Sequence, residues 1–262
     1  MSQEAARQFS DGQAYEHQIG RWSRKVGVQF LDWCKVPAGK AWLDVGCGNG
    51  AFTAEILAKA NPSRVTGIDP APAQIEFARK RLDGDRATFE LGDAQCLPFA
   101  DGVFDVACMA LVIAFVPDPA KGVAEMKRVT RGGGMIATYM WDLPNGGVPT
   151  SPFYAALRDM GLPAPMPPQA EASRQEALIE LWRAAGLRDI ESTVLRITVE
   201  HPNFEAFWEA NTLPVGPQAD RMRQLDASAR EDLKQRLKAT FRTLADGSIK
   251  FESFANAVKG IV

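Results

Sequence analysis

The chain has 262 residues, 46% of them apolar and 24% charged, with a net charge of −2. That composition excludes a disordered chain, and the near-neutral charge removes the broad basic footprint of a nucleic-acid binder. At this length about three quarters of the unfolded chain's surface can be buried, so neither a metal nor a disulfide is needed to hold the fold.

Residues 1–40 form an N-terminal segment, with a helix expected from about Trp22 to Cys34 carrying Val26, Phe30 and Trp33 on one side. From 41 to 141 short strand-like runs alternate with helical ones. Strands are expected at Trp42–Val45, Arg64–Asp69, Ala87–Leu91, Phe104–Met109 and Met135–Met140, and helices at Phe52–Ala60, Pro72–Leu82 and Pro119–Val129. Such alternation predicts a doubly wound α/β fold whose parallel sheet is covered on both faces, with ligands bound beyond the carboxyl ends of the strands. Residues 142–186 are proline-rich from Pro144 to Pro168 and read as a cap insertion, followed by a helix over about Ala170–Ala185 that Gly186 ends. Residues 187–262 contain an alternating strand at Thr193–Glu200 and a long amphipathic helix with Met222, Leu225, Ala229, Leu233, Leu237, Phe241 and Leu244 in one stripe. A last strand is expected from Ile249. The basic residues of that helix read as a solvated face.

No apolar run approaches the roughly 20 residues of a membrane span, and the first residues, Met-Ser-Gln-Glu-Ala-Ala-Arg-Gln, lack the apolar stretch of a secretory signal. Cys34, Cys47, Cys96 and Cys108 are widely spaced with no histidine close in sequence, so no metal site is expected. A cytoplasmic protein with reduced thiols, and without nucleic-acid or membrane partners, is the expectation.

The most informative stretch is Leu43-Asp-Val-Gly46-Cys-Gly48-Asn-Gly50-Ala51-Phe52, a strand running through a glycine-rich turn into a helix. Glycines there let the backbone turn tightly and approach a ligand. Gly46, Gly48 and Ala51 also satisfy the dinucleotide pattern, with Asp69 where a ribose-binding acid is expected. Charge separates the two readings. Asp44, two residues before the first glycine, would repel a pyrophosphate and attract a ligand carrying an ammonium and a sulfonium, as S-adenosylmethionine does. Asp44 could instead tie down its own loop's amides. Asp69 and Asp93 follow the second and third strands, 25 and then 24 residues on, so all three acids belong on one edge of the sheet. There Asp69 could accept ribose hydroxyls and Asp93 an adenine amino group.

These motifs make Trp42 to Trp141 resemble the core of class I S-adenosylmethionine-dependent methyltransferases. More narrowly it resembles the small-molecule branch that includes the ubiquinone/menaquinone C-methyltransferases. The resemblance rests on Leu43–Gly50, Gly67-Ile-Asp69-Pro70, Gly92-Asp93-Ala94, Leu97-Pro-Phe99 with Phe104-Asp105, Val116-Pro-Asp-Pro119, and Glu125–Gly134. It implies a Rossmann-like seven-stranded sheet of order 3-2-1-4-5-7-6 with the last strand antiparallel, in a single domain over 1–262. It implies Gly46 and Gly48 against the methionine part of the cofactor, Asp69 on the ribose, and Asp93 and Ala94 on the adenine. Met109, Ala110 and Leu111 would stand by the sulfonium; Asp44, Cys47, Pro70 and Gln74 complete the expected cofactor set. Relatives often fold an N-terminal segment over the cofactor. That makes residues 1–40 a lid, with Tyr15 and Arg21 closing over the methionine end, or alternatively a surface helix packed through Trp22. Two motifs depart from the family: Thr130-Arg-Gly-Gly-Gly134 replaces the usual Leu-Lys-Pro-Gly-Gly turn, and Ala114-Phe115 stands where many relatives have a histidine.

The expected reaction is in-line methyl transfer to O, N or C of a small molecule. It needs no strong acid, and no catalytic residue is assigned; His17, Tyr15, Tyr139 and scattered carboxylates are the few available bases. Phe115, Tyr139, Trp141, Phe153, Met160, Met166 and Trp208 are candidates for an apolar acceptor wall. A nicotinamide-dependent oxidoreductase and a cofactor-binding relative without turnover are the alternatives, and a monomer or homodimer is expected.

Overall fold

The computed structural model describes residues 19–82, 84, 86–163, 166–213 and 217–262. Tyr15 and His17 therefore lie outside the described residues. The sheet has seven strands: β1 Ala41–Val45, β2 Arg64–Asp69, β3 Ala87–Leu91, β4 Phe104–Ala110, β5 Thr130–Trp141, β6 Arg188–His201 and β7 Ile249–Ile261. Their order is β3-β2-β1-β4-β5-β7-β6, as the family resemblance implies. β1 to β5 pair in parallel, and β7 runs antiparallel to both β5 and β6. The ends of β1 to β6 consequently share one edge.

Successive residues of a strand point to opposite faces, and here each face has its own core. On one face Trp42, Val65, Val106 and Tyr139 pack under α1 (Arg21–Cys34) and α2 (Ala51–Lys59), which contribute Trp22, Val26, Phe30, Phe52 and Ile56. On the other, Leu43, Ile136 and Val258 pack under α4 (Pro119–Val129) and α6 (Gln175–Ala184), through Val123, Met126, Val129, Leu178 and Trp182. Each such buried side chain contributes about 1.5–3 kcal/mol over its exposed state. The helix α3 (Pro72–Arg81) seats Ile75 and Ala78 against Phe89 and Cys47. Both α3 and α4 start on a proline, whose missing N–H costs nothing in a first turn.

A third cluster lies beside the sheet. It joins Phe153 and Leu157 of α5 (Ser151–Asp159) to Phe204 and Phe207 of α7 (Phe204–Thr212), with Met222 of α8 (Pro217–Gln224) and Leu233 and Leu237 of α9 (Ala227–Thr240). Several elements differ from the sequence expectation. The long helix is two, broken at Leu225-Asp226, because Asp226 takes an extended backbone and caps α9 by accepting from the Ala229 N–H. The apolar stripe crosses that break because both helices pack on the same cluster. The helix expected over 170–185 is a 3₁₀ turn at Ala170–Ser173 followed by α6, which covers the sheet itself rather than capping it. Neither α5, inside the proline-rich segment, nor α7 is among the expected helices, and β6 begins at Arg188, five residues before the expected strand. Lastly β5 begins at Thr130, with a bulge between its pairings to Phe104 and Val106. Gly134 is required there, since a Cβ would stand 2.7 Å from the Asp105 carbonyl. Among the described residues no helix is long and apolar enough to cross a membrane.

Candidate functional site

The glycine loop leaves β1 and folds over the end of β2: the N–H groups of Gly46 and Cys47 both donate to the Ile68 carbonyl, at 2.7 and 3.0 Å. Gly46, Gly48 and Gly50 all have positive φ. The first is hemmed in, as a Cβ there would stand 2.6 Å from the Val112 γ-carbons, whereas nothing lies within 4 Å of a Cβ at Gly48. That open position is a cradle that a ligand can approach. Asn49 steadies the turn by accepting from the Ala51 N–H.

Asp44 and Asp69 end their strands beside this loop, 1% and 5% exposed. Asp69 Oδ2 accepts from the Gly48 N–H at 3.0 Å and Oδ1 from the Ala71 N–H at 2.9 Å, which leaves a lone pair on each oxygen for a ligand hydroxyl. Burial pushes its carboxyl up despite those two bonds. Asp44 does not tie down its loop's amides. Its Oδ2 accepts from the Thr53 hydroxyl at 2.6 Å, and its buried Oδ1 has no partner among the described residues. Burial lifts this carboxyl to about 7, against the Thr53 bond and with help from the Asp69 charge. Two buried acids that press on each other favour a cation, so the pair disfavours a pyrophosphate.

Asp93 is the more open of the three. Burial raises its carboxyl, but Oδ1 accepts from the Gln95 N–H at 2.8 Å, Gln95 Nε2 adds to it, and the net shift is downward. Gln95 Oε1 in turn accepts from the Asp118 N–H at the start of α4. Residues 92–103 form no helix; α4 holds them instead. Arg128 donates to the carbonyls of Leu97 and Phe99 at 2.9 and 2.8 Å and pairs with Glu125 and Asp101, while Glu125 accepts from the Leu97 N–H.

The structure thus brings Asp44, Gly46, Cys47, Gly48 and Asp69 together, with Pro70 and Gln74 at the start of α3 and Asp93 and Ala94 beyond β3. Cys47 turns its thiol into the small cluster under α3. Ala110 and Leu111 end β4 half-buried, and Leu111 has a left-handed backbone (φ 61°), an uncommon conformation that sets Val112 against Gly46. Met109 is turned away, fully buried toward Gly122 of α4, with its carbonyl taken by Thr138. Arg21 stands at the β6 side, where its guanidinium meets His201 Nδ1 at 3.2 Å and stacks on Trp22. Of the acceptor-wall residues, Tyr139, Trp141 and Phe153 are core side chains with at most 4% exposure. Phe115, Met160 and Trp208 are partly buried and Met166 is exposed. Sequence reading missed Thr53, Gln95 and the Glu125–Arg128 pair. The only signal for Thr53 was a hydroxyl among apolar neighbours in the helix after the loop.

Comparison with known proteins agrees with this geometry. A family model described as a methyltransferase domain matches residues 43–138. The O-methyltransferase cnsE of Penicillium expansum is 31% identical over 82% of this chain and 74% of its own length. The chain belongs to the S-adenosylmethionine-dependent methyltransferases. A second relative, the chloroplastic 2-methyl-6-phytyl-1,4-hydroquinone methyltransferase 2 of Oryza sativa subsp. japonica, is 32% identical over 68% of this chain and 48% of its own. The chain spans about half the length or less of several curated relatives it matches. In fold it is similar to phosphoethanolamine N-methyltransferase 2 of Haemonchus contortus, solved in complex with S-adenosyl-L-methionine. The TM-score is 0.58 at 19% identity, over 95% of this chain and 56% of that one. With the methyltransferase family identified, the nicotinamide alternative falls.

Proposed function

We propose that this chain transfers a methyl group from S-adenosylmethionine to an O, N or C atom of a small molecule by in-line displacement. The observation that carries the reading is the buried, bare Oδ1 of Asp44 beside the open cradle at Gly48. An uncompensated carboxylate oxygen in a glycine loop suits an ammonium, and the residues present fit that cofactor. In this reading Asp44 and the Gly46-Cys47-Gly48 turn take the methionine end. Asp69 takes the ribose hydroxyls on the spare lone pairs of its two oxygens, with Pro70 and Gln74 beside it. Asp93 and Ala94 take the adenine. Ala110, Leu111 and the backbone at Met109 flank the sulfonium, and Tyr15 and Arg21 close the lid, Arg21 by leaving His201.

Bound there, the cofactor supplies an electrophilic methyl on a sulfonium whose departure as a neutral thioether needs no acid. The protein's own task is orientation. Holding nucleophile and methyl about 3 Å apart and in line is worth on the order of 7–11 kcal/mol. Water exclusion falls to Leu111, Leu143 and Val148, half-buried at the strand ends. The reading is of one domain over residues 1–262 and a monomer or homodimer in the cytoplasm, without nucleic-acid or membrane partners. The cap is drawn from residues 142–169 and α7–α9, since α6 belongs to the sheet. The modest net charge supports the absence of a nucleic-acid partner.

The test is calorimetric titration with S-adenosylhomocysteine, with NADH in parallel and Asp69→Ala as control. Micromolar binding of the first alone, lost in the variant, supports the assignment and opens an acceptor screen. Binding of NADH alone would sink it.

A further inference from the structure

Asp44 has one oxygen engaged and one free. Thr53, in the first turns of α2 and wholly buried, donates its hydroxyl to Oδ2 at 2.6 Å. Oδ1, equally buried, is left without a partner among the described residues. Among the described residues, the titratable groups facing this carboxylate are Asp69 at the end of β2, Cys47 in the loop and Cys108 on β4. Burial keeps both thiols protonated, so neither brings a charge. One hydroxyl is therefore what fixes the rotation of the carboxylate and what favours its ionised form.

We propose that Thr53 is a positioning residue for the cofactor's ammonium: by fixing Asp44 through Oδ2 it keeps Oδ1 bare as the acceptor for that group. The inference rests on the S-adenosylmethionine reading above. A hydrogen bond donated to the carboxylate stabilises the anion over the acid. Without it Asp44 holds its proton to higher pH and turns freely, and a neutral acid is a poor partner for a cation. A ligand with the same nucleoside and thioether but no ammonium, 5′-methylthioadenosine, should be indifferent to Thr53.

The experiment is calorimetric titration of the full chain, wild type, Thr53→Val and Thr53→Ser, with S-adenosylhomocysteine and with 5′-methylthioadenosine between pH 5.5 and 8.5. A ¹³C NMR titration of the Asp44 carboxyl in ligand-free protein accompanies it. Thr53→Val should weaken S-adenosylhomocysteine at least tenfold at pH 7 and leave 5′-methylthioadenosine within twofold. It should also move the midpoint of the Asp44 titration upward by about one pH unit, the scale of one hydrogen bond. Thr53→Ser should restore both the S-adenosylhomocysteine affinity and the titration midpoint. Thr53→Ala is read the same way should valine prevent folding. Equal losses for both ligands, or an unmoved midpoint, overturn the proposal and leave Thr53 a packing residue. A wild-type protein that binds neither ligand overturns the cofactor reading and this inference with it; wild-type binding with an indifferent Thr53→Val overturns the inference alone.

Discussion

Val112 closes over Gly46: a Cβ at position 46 would stand 2.6 Å from both of its γ-carbons, on a backbone already at φ 75°. Gly48 shares the positive φ but has nothing within 4 Å of its missing Cβ. The two glycines therefore do different work, and alanine should separate them. Gly46→Ala combines left-handed strain with a clash, together about 2–5 kcal/mol, and should lower the melting temperature sharply. Gly48→Ala costs only the strain, about 1–2 kcal/mol, yet fills the cradle and should weaken S-adenosylhomocysteine at least tenfold. Thermal unfolding and calorimetry on both variants check this, and matching profiles would remove the distinction.

The parallel core and its site edge were legible because each unit announces itself. An apolar strand, a breaker and a helix follow one another at β1, β2 and β4, and an acid stands at or just beyond the end of each of the first three strands. What the sequence hid was tertiary. Nothing local separates Tyr139, whose ring packs 4.6 Å from Phe30, from an aromatic that lines a pocket. A stripe that continues through Leu225-Asp226 reads as one helix because periodicity records which face is buried, not whether the axis is continuous. Thr53 meets Asp44 only because the glycine loop folds α2 back beside β1, and Arg128 acts on backbone carbonyls about thirty residues away; neither relation leaves a pattern in composition or spacing.

Two buried groups set opposing pH dependences. Asp44 titrates near 4 when unfolded and near 7 in the fold, chiefly through burial. The native state then holds a proton that the unfolded state has lost, so its stability contribution is full below about pH 4 and falls away as pH rises to about 7. His201 runs the other way. Burial, and then the Arg21 charge, hold it down to about 4, so its contribution is full above about 6.5 and is lost as pH falls toward 4. Relative to wild type, Asp44→Asn should make the melting temperature rise more steeply between pH 4.5 and 6.5, and His201→Gln should make it fall. Three superimposable pH profiles would contradict both assignments.

Arg128 stands in for the helix that the segment after β3 lacks. Its fork reaches Leu97 and Phe99 while Glu125 holds both Arg128 and the Leu97 N–H. Because the guanidinium is partly exposed, Arg128→Ala should cost about 1–2 kcal/mol rather than the full value of a buried network. Arg128→Lys should recover little, because an ammonium cannot span both carbonyls and Glu125. Loosening this segment frees Asp93 and Gln95, so S-adenosylhomocysteine affinity should fall roughly three- to tenfold. Denaturant unfolding with calorimetry tests it; a stability loss with unchanged affinity would detach the clamp from the adenine side.

Asp69 has the most demanding geometry of the three acids, since each oxygen already serves a backbone N–H, of Gly48 or of Ala71. Replacing it with asparagine sets an amide NH₂ against one of those donors. The orphaned N–H should cost about 1–3 kcal/mol of stability with or without ligand. The loss of ribose hydroxyl acceptors appears only with ligand, and a double-mutant cycle isolates it. Wild type should bind S-adenosylhomocysteine at least tenfold more tightly than its 2′-deoxy analogue, and Asp69→Asn should shrink that ratio toward one. If the ratio is the same in both proteins, Asp69 holds the glycine loop in place and the ribose is bound by other groups.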